Sequence, residues 1–309
     1  MKNKLIKWII GIFLLLVVID AGATLYFYNV AAIRNDKPVS QVAKTSKNYP
    51  LVLDFDKLTK TKRTITTDGI KLDAWYVPAK VATNKTVIVV HGFRQDKSNM
   101  RQYGELFHQL GYNVLMPDNR GAGASGGKFI SYGYYDKEDV IAWANLLTKE
   151  EPSSNITLFG LSMGAATVMM ASDQSNLPSS VKNIIEDCGY SGVWEEITYQ
   201  AQASYNIPAF PLVYGVSLEN KIRQGWYFQD AKSTDALKKD NLPILLIHGS
   251  KDTYVPTKMV YENYDAVKSG TSKELLVVKG AQHARSFETD PTLYRNTVSA
   301  FMDKYNPIQ

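Results

Sequence analysis

The strongest constraint on the fold of this chain is an alternation. Short runs rich in Val, Ile and Leu recur at Thr86 to Val90, Asn113 to Met116, Ile156 to Phe159, Val181 to Ile185, Ile244 to Ile247 and Glu274 to Val278. Each reads as apolar on both faces, as a strand does when a parallel sheet is covered on both sides. Amphipathic stretches such as Arg101 to Leu110 and Asp136 to Leu147 fall between the runs and supply those covers. Ahead of them, Thr64 to Thr67, a turn at Asp68-Gly69 and Ile70 to Val77 read as a hairpin. The pattern predicts one α/β domain over residues 63–309, with a doubly wound, mostly parallel sheet and an N-terminal hairpin. The 45% apolar content excludes wholesale disorder.

Two segments stand outside the alternation. The connection at about 190–241 is longer than a strand-to-strand crossover needs. It is also aromatic, with Trp194, Tyr199, Tyr205, Phe210, Tyr214 and Trp226 among its residues. It reads as a small helical cap over the C-terminal edge of the sheet. Residues 34–62 are polar and lysine-rich, with Pro38 and Pro50, and read as a linker or loosely packed lead-in.

The first 33 residues read as a membrane anchor or signal segment. Lys2, Lys4 and Lys7 precede an unbroken apolar run from Trp8 to Ile19, followed by Asp20 and a softer apolar stretch to Ile33. As an anchor, Trp8 to Tyr28 is close to the ~20 residues that cross a bilayer core. Trp8 and the pair Tyr26 and Tyr28 then sit at the two interfaces. Asp20 counts against this, since a mid-span carboxylate costs roughly 2.5–3.5 kcal/mol on insertion scales. As a cleaved signal peptide, Ala21-Gly22-Ala23 offers a small-x-small site. A third alternative is a buried helix of a cytoplasmic protein. In the first two, the basic end stays inside and the rest goes outside, leaving the chain membrane-bound or secreted.

Composition narrows the chemistry by exclusion. The net charge of +5 is modest and partly concentrated at the N-terminus, and no nucleic-acid-binding motif is present. Cys188 is the single cysteine, so there is no intramolecular disulfide and no Cys-rich zinc site. The four histidines are scattered, with no H-x-x-x-H or H-E-x-x-H pairing for a metal.

What remains points to a serine nucleophile. Gly160-Leu161-Ser162-Met163-Gly164 follows an apolar run and opens a helical stretch, which is G-x-S-x-G in a strand–turn–helix setting. Such a turn is tight enough to strain the serine backbone and push its hydroxyl above the sheet, and side chains at 160 or 164 would collide with neighbours. Among the histidines, His108 lies in a helical stretch, as a surface or satisfied residue. His91 and His248 precede glycines at strand ends, where a structural hydrogen bond is the plainer role. His283, in the loop after the last run, is the candidate base. Asp252, after the run ending at Ile247, is the candidate acid and is preferred to Asp187. The order Ser162, Asp252, His283 suits this architecture. The oxyanion would be held by the backbone N–H groups of Met163 and Phe93, with Gly92 allowing close approach. Arg94 reads as a solvated loop residue or as a partner for an anionic group.

Together Val90-His91-Gly92-Phe93, Pro117-Asp118-Asn119-Arg120-Gly121-Ala122-Gly123-Ala124-Ser125, Gly160 to Gly164, Asp187-Cys188-Gly189-Tyr190 and His248-Gly249-Ser250-Lys251-Asp252 resemble bacterial α/β-hydrolases of the membrane-anchored serine aminopeptidase/esterase-like group. Many relatives have R-G-H-G-x-S where this chain has Ala122, a change that leaves the triad alone but touches a pocket wall. The resemblance implies hydrolysis of a small-molecule carboxylic ester without a cofactor. Peptides, thioesters and acyl transfer are alternatives, and a non-catalytic binding protein on the same fold is a remote one.

Overall fold

A computed structural model describes residues 2–34 and 41–308 of the chain, with side chains from residue 4. Eight strands form one sheet: β1 (Thr61–Thr67), β2 (Ile70–Val77), β3 (Lys85–Val90), β4 (Asn113–Pro117), β5 (Asn155–Leu161), β6 (Val181–Asp187), β7 (Ile244–Gly249) and β8 (Lys273–Val278). Their order is β1-β2-β4-β3-β5-β6-β7-β8. The β1–β2 hairpin turns at Asp68 and Gly69, and β2 runs antiparallel to β4. All later pairs are parallel.

Helices close both faces. The α-helices among the described residues are α1 (Lys2–Ala32), α2 (Tyr49–Lys57), α3 (Arg101–Gln109), α4 (Asp136–Glu150), α5 (Met163–Ala171), α6 (Val193–Tyr205), α7 (Tyr214–Gln224), α8 (Ser233–Leu237), α9 (Lys258–Ala266), α10 (Ser286–Thr289) and α11 (Pro291–Tyr305). The period-2 geometry of a strand sorts the core. Val87 and Val89 of β3 face one cluster, with Tyr103 and Phe107 of α3 and Val298 and Phe301 of α11. Ile88 and Val90 face the other, with Val140 and Trp143 of α4 and Val168 of α5. Both faces are buried, which is why the runs carry no polar side.

Residues 41–62 are more ordered than a linker. The short helix α2 buries Val52 and Phe55, one turn apart, against α3. A Cβ on Gly104 of α3 would lie 2.7 Å from the Phe55 ring, so the two helices meet at a point where a side chain is missing. Pro38 lies outside the described residues.

The connection from β6 to β7 carries α6, α7 and α8. Its aromatics divide in two. Trp226 and Phe228 are fully buried, Trp226 stacking on Tyr134 at 4.6 Å, whereas Phe210 and Tyr214 are exposed.

Helix α1 also divides in two. Its side chains from Trp8 to Ile19 are exposed and apolar. From Thr24 on, it packs against α7: Tyr28 and Ala32 are fully buried, and Thr24 lies against Gly215. The last carbonyls of a helix have no intrahelical donor. Here the body provides them: the Arg94 guanidinium donates to Val30 O, Tyr132 Oη to Ala31 O at 2.7 Å, and Ile130 N to Ala32 O at 2.8 Å. The Arg94 charge also suits the negative end of the helix dipole.

Candidate active site

Parallel pairing brings the C-terminal ends of the central strands level. Val90 pairs with Gly160, Leu161 with Asp187, and Gly249 with Val278. Ligands of open α/β sheets bind beyond such ends. Every residue singled out from the sequence for catalysis leaves this edge in a loop or at a helix start.

Ser162 occupies the turn between β5 and α5 at φ 56°, ψ −115°, a conformation few non-glycine residues adopt. Its N–H donates to Asp187 O at 2.8 Å, which ties the turn to the end of β6. The flanking glycines are sterically required. A Cβ on Gly160 would come within 2.1 Å of Gly164 O, and one on Gly164 within 2.2 Å of Val90 O.

Three side chains then form a hydrogen-bonded chain. Ser162 Oγ is 2.9 Å from His283 Nε2, and His283 Nδ1 is 2.7 Å from Asp252 Oδ2. The Tyr254 ring leans on the imidazole, with centroids 4.9 Å apart. Asp252 is buried, and its other oxygen accepts from Tyr254 N at 2.9 Å and Val255 N at 3.0 Å. His248 Nε2 lies 3.2 Å from Oδ2 and 2.9 Å from Val255 O. Burial by itself would raise the pKa of Asp252. Hydrogen bonds and charge from His248 and His283 outweigh it and hold the carboxyl down to about 2.

The other histidines lie elsewhere. His91 Nδ1 sits 2.8 Å from Gly92 O, and its Nε2 accepts from Asn119 N at 2.9 Å. His108 is buried on α3 rather than at the surface, with Nδ1 3.7 Å from Glu105. Asp187, the rival acid, is buried and accepts from Tyr294 Oη at 2.9 Å, away from His283. Burial pushes its pKa up to about 7, against the lowering effect of that bond.

The amides of Met163 and Phe93 have no acceptor among the described residues, and the loop carrying Phe93 comes close to the nucleophile: a Cβ on Gly92 would lie 3.4 Å from Ser162 Cβ. The Phe93 ring stacks on Tyr132 at 5.3 Å. Among the described residues, the donor set of Cys188, Asp252 and His283 falls within 4.8 Å. It suits a metal poorly. Burial raises the thiol pKa well above its usual value, and the other two already use their facing atoms on each other.

A cavity of about 260 Å³ opens over Ser162. Two of its walls are not evident in the sequence. One is the end of α1, at Val30 and Ala31. Arg94, which lines the same cavity, is exposed as a loop arginine would be, and it spends one guanidinium N–H on Val30 O of α1. The other is Glu196 of α6, which is buried and accepts from Gln200 Nε2 at 3.0 Å.

Comparison with known proteins identifies the family and the fold. A family model described as serine aminopeptidase, S33, matches residues 82–242, about half of the chain. The chain belongs to that hydrolase family. The uncharacterized protein YqkD of Bacillus subtilis (strain 168) is 30% identical over 265 residues, covering 85% of this chain and 86% of that one. The Pyrococcus furiosus esterase Pf2001 superposes with a TM-score of 0.69 at 23% identity, covering 88% of this chain and 98% of the esterase. The Pyrococcus horikoshii acylaminoacyl peptidase does so at 0.62 and 20%, covering 83% of this chain and 44% of the peptidase. At these identities the likeness is one of fold, and that fold is the α/β-hydrolase fold. As a member of the S33 family, the chain is a serine hydrolase with a mostly parallel eight-stranded sheet.

Proposed function

We propose that this S33-family member is a membrane-anchored esterase that works through an acyl-enzyme, with Ser162 as nucleophile, His283 as general base and Asp252 as the acid that orients it. The observation that carries the reading is the hydrogen-bonded chain Ser162–His283–Asp252 hung from a strained turn. In the first step, His283 Nε2 takes the Ser162 proton as Oγ attacks the ester carbonyl. Asp252, ionised because its pKa is held low, fixes the imidazole with Nδ1 as donor and stabilises the imidazolium. The N–H groups of Met163 and Phe93 receive the oxyanion, a role in which one donor is worth about 10²–10³-fold in kcat. His283 then protonates the leaving alcohol, and water repeats the sequence on the acyl-enzyme. No cofactor enters these steps.

Anchoring rests on α1. Trp8 to Tyr26 is long enough for a bilayer core at roughly 1.5 Å per residue, and Lys4 and Lys7 would hold the N-terminus inside, leaving the catalytic body outside. Release after Ala23 would give a secreted form. Amide hydrolysis is the second reading, supported by the family's description as serine aminopeptidases.

The test is fluorophosphonate labelling of the full chain in detergent beside Ser162→Ala. Labelling confined to the wild type is the expected result, with turnover of simple esters exceeding that of aminoacyl amides. A folded wild type that takes no label would overturn the proposal, and preferred cleavage of amides would replace the esterase with a peptidase.

A further inference from the structure

The cavity over Ser162 does not end at its own walls. A second cavity of about 100 Å³ adjoins it, and the two share Val30, Ala31, Ile197, Gln200 and Tyr205. The first is polar in part, with Glu196, Arg94 and Tyr254 in its lining. The second is apolar apart from Gln200 and Tyr205. Phe27 of α1, Ala201 of α6, and Ile207, Leu212 and Val216 close it. An apolar pocket of this kind takes apolar ligands.

The outside of the same wall is apolar too. Tyr214, Leu218 and Ile222 stand on successive turns of α7 and are 52%, 50% and 70% exposed, beside Phe210 at 74%. Such a stripe is where a membrane or partner docks. Helix α7 packs directly on α1, whose Leu25 and Tyr26 are also exposed. Phe27 and Val216, on the same two helices, line the second cavity.

We propose that this second cavity is the subsite for the acyl chain of an amphiphilic ester drawn from the lipid phase, and that the anchor helix itself forms one of its walls. The proposal rests on the esterase reading of Ser162. It divides the substrate between two compartments. The scissile carbonyl sits between Ser162 and the free amides in the first, and the chain runs past Val30 and Ile197 into the second.

The experiment compares kcat/KM for acetyl, butyryl and octanoyl esters of one alcohol, using the full chain in detergent micelles. Ala201→Trp fills the second cavity from the cap side, and Phe27→Ala enlarges it from the α1 side. The octanoyl-to-acetyl ratio should fall at least tenfold in Ala201→Trp and move toward longer chains in Phe27→Ala, since each methylene in an apolar pocket is worth about 10-fold or more. A wild type that turns over all three esters, with variants keeping its ratio, would overturn the subsite and leave the esterase standing. A wild type that hydrolyses none would remove the esterase reading first.

Discussion

At the scale of single residues, Glu196 is the group whose behaviour departs furthest from its sequence appearance. It looks like an ordinary helix-surface carboxylate. In the fold it is buried, one oxygen has no partner among the described residues, and burial pushes its pKa up to about 8, only partly opposed by Gln200. A free glutamate titrates near ~4.3. The folded state therefore keeps a proton that the unfolded chain gives up. The resulting stabilisation is complete below the unfolded value and is lost as pH rises toward about 8. Glu196→Gln keeps the shape without the titration. Its melting temperature relative to wild type should climb steadily from about pH 5 to about pH 8, the window set by those two values. A pH-independent difference in calorimetry would mean that Glu196 is ionised in the fold. The residues of the hydrogen-bonded chain were easier to find, because Ser162, Asp252 and His283 each follow an apolar run in a recognisable loop. Glu196 follows none, and Tyr132, Tyr190 and Tyr254, which line the same cavity, arrive from other parts of the chain.

At the scale of elements, period and apolarity made the sheet legible. The hairpin at Asp68-Gly69 and the later strands stand close to where Val, Ile and Leu cluster. Helix α2 was hidden because it has few anchors. It sits among lysines, and Val52 and Phe55 are its buried residues. Such a helix is too short to be stable alone and depends on tertiary packing. Phe55→Ala should therefore cost about 3–5 kcal/mol in denaturant unfolding, the usual loss for a buried aromatic. A loss under about 1 kcal/mol would mean that α2 is only loosely attached. The softness of α1 beyond Asp20 has a similar origin. Ala21 to Ala32 has small and aromatic residues in place of Leu and Ile because part of it faces protein, and its partners at Arg94, Tyr132 and Gln224 are distant in sequence.

At the scale of the whole molecule, the anchor and the pocket share one helix. With Lys4 and Lys7 inside, the body should be digested when protease is added to intact spheroplasts carrying the full chain. Survival of the body until the membrane is opened would reverse the proposed orientation. The seat of α1 has a further consequence for how the protein can be handled and released. Ala21-Gly22-Ala23 lies just ahead of Thr24, where packing on the body begins. A cut there would free a water-soluble form that still carries Phe27, Val30 and Ala31. A cut at Arg34 would leave the cavity over Ser162 without one of its sides. Shedding and disabling are thus separated by a few residues of sequence, and a crystallisable fragment should begin at Thr24.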